Sequence, residues 1–344
     1  MVSMQTNFCL LMNNNFYARQ IALKFGLLLA LSGIHSGVWA QNASTAVLPA
    51  APIRLIVPFT PGTGIDLIAR TLGPKLSERL GRPVVVDNRA GASGNIGTEA
   101  VVRAAPNGST LLVTVNTLVM NASLYPQLAF DPVKDLTPVS LTSWGQLILV
   151  VHPKTGFKKA TDLIDAAKQA PGGINYGSPG VGTPHHLAME LFKTTAGVFV
   201  THIPYRGTGP ALSDLLGGQI QTMFLPIHVA LPHVKAGKLV ALGIGSDKRH
   251  PLLPDVPTLA EARAGNVNVD MWYGIFAPPG TSADLVALFN KEIKDILLTD
   301  EVKKAFQTQG MDPSSSSPAE FQRLVDKDAK RWAQLIKSQK ITAD

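Results

Sequence analysis

From Ile53 onward the chain alternates short apolar runs, closed by Gly, Pro or Asn, with stretches whose apolar residues recur every three or four positions. The first spacing suits buried strands and the second suits helices lying on them. The alternation therefore predicts βα units and a mainly parallel sheet. Residues 53–59 read as the first strand, and Pro61-Gly62-Thr63-Gly64 turns the chain into a helix with Leu67, Ile68, Leu72, Leu76 and Leu80 on one face. A strand over 84–87, a helix capped by Ser93 that ends near 104, and a strand over 111–115 complete a βαβαβ half-domain.

A second series begins with a strand over 147–152 and a helix that starts at Thr161 and Asp162 and ends near 170. A strand over 174–177 follows, and Thr183 caps a helix whose first residue is Pro184, where a missing N–H costs nothing. Strands over 199–205, 221–225, 239–245 and 271–277 come next, with a helix opened by Pro210 between the first two. Thr281 is expected to cap a helix that turns Leu285, Leu288, Phe289 and Ile293 inward. Ser317 and Glu320 form a capping box around Pro318, ahead of a helix with Phe321, Leu324, Val325, Trp332, Leu335 and Ile336 on one face. No repeat at a solenoid period is visible.

The N-terminus has a different pattern. Arg19 and Lys24 precede an apolar run over 25–31, a Gly/Ser-rich stretch follows, and Val38-Trp39-Ala40 offers a small-x-small cleavage site before Gln41. This is the pattern of a secretory signal peptide over 1–40, since the run is well short of the ~20 residues that span a bilayer. Met12 would also serve as its start, and Cys9 stands before the apolar run, where it cannot be a lipobox cysteine. Removing the peptide takes away the chain's only cysteine and two cations and no acid, so the formal charge falls from +7 to +5. A cysteine-free exported chain suits a bacterial periplasm and excludes a disulfide framework or a thiolate zinc site. The 344 residues, 45% hydrophobic, allow two domains and a sizeable core. The remaining basic residues are scattered rather than clustered with aromatics, which argues against nucleic acid.

Four strand-to-helix loops carry the candidate chemistry. They run over 60–66, 91–95, 178–183 and 205–209, and each is rich in Gly, Ser or Thr. In open α/β sheets ligands sit beyond the carboxyl ends of strands, where helix N-termini present free N–H groups and partial positive charge. Any one such loop is an ordinary tight turn, but four divided between two half-sheets favour a shared anion cleft. Enzyme motifs fit less well. Gly62-Thr63-Gly64 lacks the third glycine of a dinucleotide fingerprint, having Leu67 there. Ser178 resembles a nucleophile elbow, with His186 as its base, but Tyr176 stands where Gly is needed and Pro179 follows. No phosphate-binding GxxxxGK[ST] is present. The pairs His185–His186 and His228–His233 lack the i, i+4 spacing of metal ligands, so no metal or cofactor is expected.

The residues that carry these loops also resemble a known family. Ile53-Arg54-Leu55-Ile56-Val57-Pro58-Phe59, the loop over 61–66 with Ala69-Arg70, and Val84-Val85-Val86-Asp87-Asn88-Arg89 are similar to the start of the tripartite tricarboxylate transporter substrate-binding family, the Bug receptors. Gly91-Ala92-Ser93-Gly94-Asn95-Ile96-Gly97, Asn175-Tyr176-Gly177-Ser178, Gly182-Thr183 with His186-Leu187, Pro204-Tyr205-Arg206-Gly207, Pro254-Asp255-Val256-Pro257-Thr258 and Ala277-Pro278-Pro279-Gly280-Thr281 continue it in order. Thr63 departs from the pattern, since many members have Gly there, and it adds a hydroxyl at the cleft.

The resemblance implies an α/β fold like that of periplasmic binding proteins, with two doubly wound lobes and a hinge. Lobe 1 would comprise 52–146 plus 278–344, and lobe 2 would comprise 147–277. It also implies a non-enzymatic, monomeric receptor that captures a small carboxylate and delivers it to membrane subunits of a transporter. A ligand sensor for signalling and a secreted serine hydrolase are the alternatives. Carried onto this chain, Phe59, Thr60, Gly62, Thr63, Ile65, Asp66 and Asn95 would form one wall of the cleft. Ser178, Gly182, Thr183, His186, Tyr205 and Gly207 would form the other. Asp66 serves equally well as the i, i+4 partner of Arg70 at a helix N-terminus.

Overall fold

The two strand series build two sheets, with one strand of the second series exchanged into the first sheet. The computed structural model describes residues 48–342 apart from 126, so the expected signal peptide lies outside the described residues. The elements follow in chain order: β1 (Ile53–Val57), α1 (Gly64–Leu80), β2 (Val84–Asn88), α2 (Asn95–Val102), β3 (Thr110–Val115), α3 (Thr117–Leu124), β4 (Thr137–Gly145) and β5 (Leu147–Val151). After these come α4 (Ala160–Gln169), β6 (Asn175–Ser178), α5 (Pro184–Ala196), β7 (Thr201–Pro204), α6 (Thr208–Gly217), β8 (Thr222–Pro226), α7 (Ile227–Lys235) and β9 (Val240–Ile244). The chain ends with β10 (Met271–Ala277), α8 (Ala283–Leu297), α9 (Asp300–Thr308), β11 (Met311–Pro313) and α10 (Pro318–Ser338).

The six-stranded sheet runs β11-β4-β10-β3-β1-β2 and the five-stranded sheet runs β7-β6-β8-β5-β9. Both share a plan. β1 pairs in parallel with β2 and β3, as β6 does with β7 and β8, and an antiparallel strand follows in each sheet, β10 in the first and β5 in the second. That antiparallel strand is the first one the chain forms after crossing between sheets. The first crossing is the single residue Gln146 between β4 and β5, and the second is the segment 245–270 between β9 and β10.

This topology corrects one boundary. The strand Met271–Ala277, expected in the second lobe because it follows that series, instead lies between β3 and β4 of the first sheet. Hydrophobicity cannot reveal this, because all seven residues are buried and would suit the centre of either sheet. β4 was not anticipated at all. Its run Thr-Pro-Val-Ser-Leu-Thr-Ser-Trp-Gly buries Ser140, Thr142 and Ser143, and backbone carbonyls satisfy two of the three hydroxyls: Thr142 Oγ1 donates to Tyr273 O at 3.0 Å and Ser140 Oγ to Leu141 O at 2.7 Å.

Helix ends follow the expected chemistry with exceptions. Ser317 Oγ accepts from Glu320 N at 3.2 Å, and Glu320 Oε2 accepts from Ser317 N at 2.9 Å, which completes the capping box of α10. Ser282, not Thr281, caps α8, because Thr281 Oγ1 is committed to Pro278 O at 2.8 Å. Ser93 is not a cap. It adopts φ 51°, and α2 begins after Gly94. The core beneath the first sheet joins Leu55, Val57, Ile68 and Leu72 to Trp272, Phe276, Phe321 and Trp332, so α10 closes over the sheet that the N-terminal strands begin. Trp272 Nε1 donates to the buried Asp328 carboxylate at 2.8 Å and fixes α10 to β10.

Candidate functional site

Five helices begin at one place between the sheets. Each follows directly from a parallel strand: α1 from β1, α3 from β3, α5 from β6, α6 from β7 and α7 from β8. Their first residues line a common cavity of about 40 Å³. Thr63, Gly64 and Ile65 come from the start of α1, Thr117 from α3, Thr183, Pro184 and His185 from the start of α5, Thr208 from α6 and Pro226 from the end of β8 just before α7. None of the five has a side-chain cap. The two threonines at cap positions turn away from their helices: Thr63 Oγ1 donates to Thr60 O at 3.2 Å and Thr183 Oγ1 to Gly180 O at 2.8 Å. The first-turn N–H groups of α1, α5 and α6 thus stay free, with the positive ends of the helix dipoles behind them, while in α7 the N–H of Ile227 is taken by Gln146 O at 3.1 Å.

No Lys, Arg, Asp or Glu lines this cavity, and the rest of its wall is Phe59, Val115, Pro179, Met271 and Tyr273. Buried polar atoms without partners gather around it. Among the described residues, seven of the twelve such atoms belong to Thr60, Asn95, Thr117, Asn121, His185 and His228. An unmade bond at a buried polar atom costs about 1–3 kcal/mol, so this wall is built to receive a polar group. Carboxylate recognition here would use backbone N–H groups and dipoles rather than a salt bridge.

The expected site residues divide into three groups. Phe59, Thr63, Ile65 and Thr183 line the cavity. Thr60, Gly182 and Gly207 lie where the two walls touch. A Cβ on Gly207 would stand 2.8 Å from Thr60 Oγ1, and one on Gly182 would run into Leu124 of α3. The other six brace their own wall from within. Asp66 accepts from Gly62 N at 2.9 Å and Arg70 Nε at 3.0 Å, and Asn88 Nδ2 also donates to it at 3.0 Å. Burial raises the Asp66 pKa, but the Arg70, Gly62 and Asn88 bonds outweigh it and hold the carboxyl below its usual range. Gly62 supplies only that N–H, and Asn95 Oδ1 accepts from Asn121 Nδ2 at 2.8 Å. Tyr205 donates to Asp214 at 2.7 Å. Ser93, from the loop over 91–95, reaches across instead: its hydroxyl donates to Val181 O at 2.7 Å, and Tyr125 OH donates to Ser93 Oγ at 3.2 Å.

Histidine assignment changes most. His186 turns away from the cavity: its Nδ1 accepts from Gly182 N at 3.1 Å and its ring stacks on His202 at 4.2 Å between centroids. Its neighbour His185 faces the cavity. Burial, aided by the His228 charge, holds the His185 pKa down at about 3, and burial alone holds His228 at about 4. Ser178 does have a histidine in reach, but it is His202, with Nε2 at 2.7 Å. The Ser178 hydroxyl also donates to Gly180 O at 3.0 Å, which leaves His202 to donate to Oγ rather than to take its proton. Ser178 is fully buried, so this contact braces the loop and offers no nucleophile. Among the described residues no group of three or more His, Cys, Asp or Glu could hold a metal ion.

Two mixed α/β sheets that share a cleft lined by helix N-termini define the class of solute-binding proteins. The chain belongs to the tripartite tricarboxylate transporter family of receptors, whose model matches residues 68–341. These are periplasmic solute-binding receptors rather than enzymes. Protein BugT of Bordetella pertussis is 36% identical over 314 residues, which cover 91% of this chain and 95% of BugT. The R. palustris protein Rpa4515, solved with adipate, superposes with TM-score 0.82 at 32% identity and covers 86% of this chain and 99% of its own. MatC from Rhodopseudomonas palustris, solved with bound malate, gives TM-score 0.80 at 30% identity, covering 84% of this chain and all of its own. No helix among the described residues is long and apolar enough to cross a membrane.

Proposed function

We propose that the protein is a periplasmic receptor that captures a small carboxylate between its two sheets and presents it to membrane subunits of a tripartite tricarboxylate-type transporter. The observation that carries this reading is the convergence of five uncapped helix N-termini on one uncharged cavity. Adipate and malate in two relatives support the ligand class, and the N-terminal signal pattern supports export.

The sheets act as two lobes, and the return crossing falls within 245–270. The cavity of about 40 Å³ is far smaller than the ~300–1,000 Å³ of ligand pockets, so the walls part to admit a ligand and close on it. Ser93 and Tyr125 clasp Val181 when they meet. The closed form, monomeric, is what a membrane partner would recognise.

A thermal-shift and calorimetric panel of carboxylates tests this. A ligand at about 100 times its Kd adds about 2.7 kcal/mol of stability. The expected result is a clear rise in Tm for at least one carboxylate, with the ligand recovered unchanged. A panel without any shift, or consumption of the ligand by purified protein, would sink the reading.

A further inference from the structure

Three uncharged hydrogen-bonding side chains meet at the cavity, and the capture of one carboxylate does not use them. The imidazole of His228, second residue of α7, and the phenol of Tyr273 on β10 converge over Gly64: a Cβ there would stand 2.9 Å from His228 Cε1 and 2.9 Å from Tyr273 Oη. His185, second residue of α5, lines the same cavity. Neither nitrogen of His185 has a partner, nor does Nε2 of His228, and all three are shut from solvent. Tyr273 has only the Met271 sulfur, at 3.9 Å. A neutral imidazole both donates and accepts, as does a phenol, so this cluster offers both kinds of bond and carries no charge.

From this geometry we propose that His185, His228 and Tyr273 select a ligand with one carboxylate and a second, uncharged polar group such as a hydroxyl. The carboxylate takes the helix N–H groups, and the hydroxyl pairs with the two imidazoles and the phenol. The inference rests on the receptor reading and narrows its ligand class. A second ionised carboxylate, as in adipate or malate, fits this wall poorly. An ionised carboxylate only accepts, so it leaves the acceptor side of each neutral imidazole unpaired, whereas a hydroxyl both donates and accepts. A plain monocarboxylate leaves the cluster unpaired, which is the situation in which binding sites discriminate best.

The test is calorimetry at pH 7.5 with matched trios: plain acid, hydroxy acid and diacid. Straight chains of three to six carbons form one series, and benzoate, 4-hydroxybenzoate and terephthalate form another. In at least one trio the hydroxy acid should bind about tenfold tighter than both others, the worth of one or two well-placed neutral hydrogen bonds. Tyr273→Phe and His228→Phe should each lower the ratio of hydroxy-acid to plain-acid affinity at least about threefold. Being a ratio within one protein, it is insensitive to a general loss of affinity. Wild-type selectivity stands as evidence should a variant fail to fold. Plain acids that bind as well as hydroxy acids, diacids that bind tightest in every trio, or ratios that the variants leave unchanged would overturn the proposal and leave the receptor reading intact. Binding of no member of any trio would overturn both.

Discussion

The two spaces between the sheets differ in nearly every respect. On the hinge side, where the chain crosses, Trp144, Gln146, Lys248, Arg249, His250 and Asp270 bound an open groove of about 600 Å³. The cleft on the other side encloses about 40 Å³ and contains no charged side chain. By size and charge the groove is the more obvious anion site. Yet no helix starts there, and α9 brings its C-terminal turn, at Gln307, with the wrong end of its dipole. Arg249 is already occupied by Glu261 at 2.7 Å and Pro254 O at 3.1 Å. On the receptor reading, the direction of backbone N–H groups, rather than volume or formal charge, decides where an anion would sit.

The strongest way to break this comparison is to wedge the cleft. Gly182 has φ 79° and faces Leu124 and Asn121 across it, so Gly182→Val forces both a strained backbone and an overlap. Overpacking of this kind costs about 1–3 kcal/mol and lowers carboxylate affinity up to about 100-fold. Titration calorimetry reads the loss, and an affinity unchanged within a factor of three would mean that the walls do not close there.

Acid should act next, through the cleft's histidines. Burial holds His185 and His228 down at about 3 and about 4 in the fold, against an ordinary imidazole value of 6.5. Between those values the unfolded chain binds more protons than the native one, so stability is full above about pH 7 and is lost as the pH falls. At pH 5 each histidine costs roughly 2 kcal/mol, which should lower Tm by on the order of 5 °C or more. A flat Tm between pH 7.5 and 5 would show that the imidazoles are not held neutral. Asp66, with a lowered pKa, contributes stability that is lost only in stronger acid, whereas His186 and His202, which burial holds at about 4 and about 3, add to the same loss between pH 7 and 5.

Removing the clasp should have a smaller effect. Ser93→Ala deletes the bond to Val181 O and the one from Tyr125, and a neutral bond is worth about 0.5–1.5 kcal/mol, so affinity should fall about fivefold. The smallest effect belongs to the hinge groove: Lys248→Ala should leave carboxylate affinity within about twofold, since an exposed charge there acts only weakly at a distance. A tenfold change would move the anion site to the groove.

Much of this arrangement was legible in the chain, and the gaps have physical causes. The loops over 60–66 and 178–183 were readable because Gly, Thr and Ser after an apolar run mark strand-to-helix turns. The start of α3 was hidden: Thr117-Leu118-Val119-Met120 continues β3 with β-branched and apolar residues and has no helical periodicity. α7 was hidden by its internal Pro232, and with these two helices went Thr117 and His228. His185 and His186 are adjacent, about 100° apart on α5, and sequence does not say which of them faces the cleft. The family pattern pointed to His186, which braces the Gly182 turn, while the residue on the cavity is His185.

The position of β10 has a consequence for how the chain matures. Every strand of the five-stranded sheet comes from one uninterrupted stretch, 147–244, whereas the six-stranded sheet has β10 at its middle, joining β4 and β11 to β3, β1 and β2. As the chain emerges during synthesis, the second sheet can assemble as soon as its own residues are out. The first waits, its N-terminal strands unpaired on one edge, until residue 277 is through. The last-made third of the polypeptide thus decides when the first-made third becomes native, and a truncation before Met271 should leave the five-stranded half as the only part able to fold.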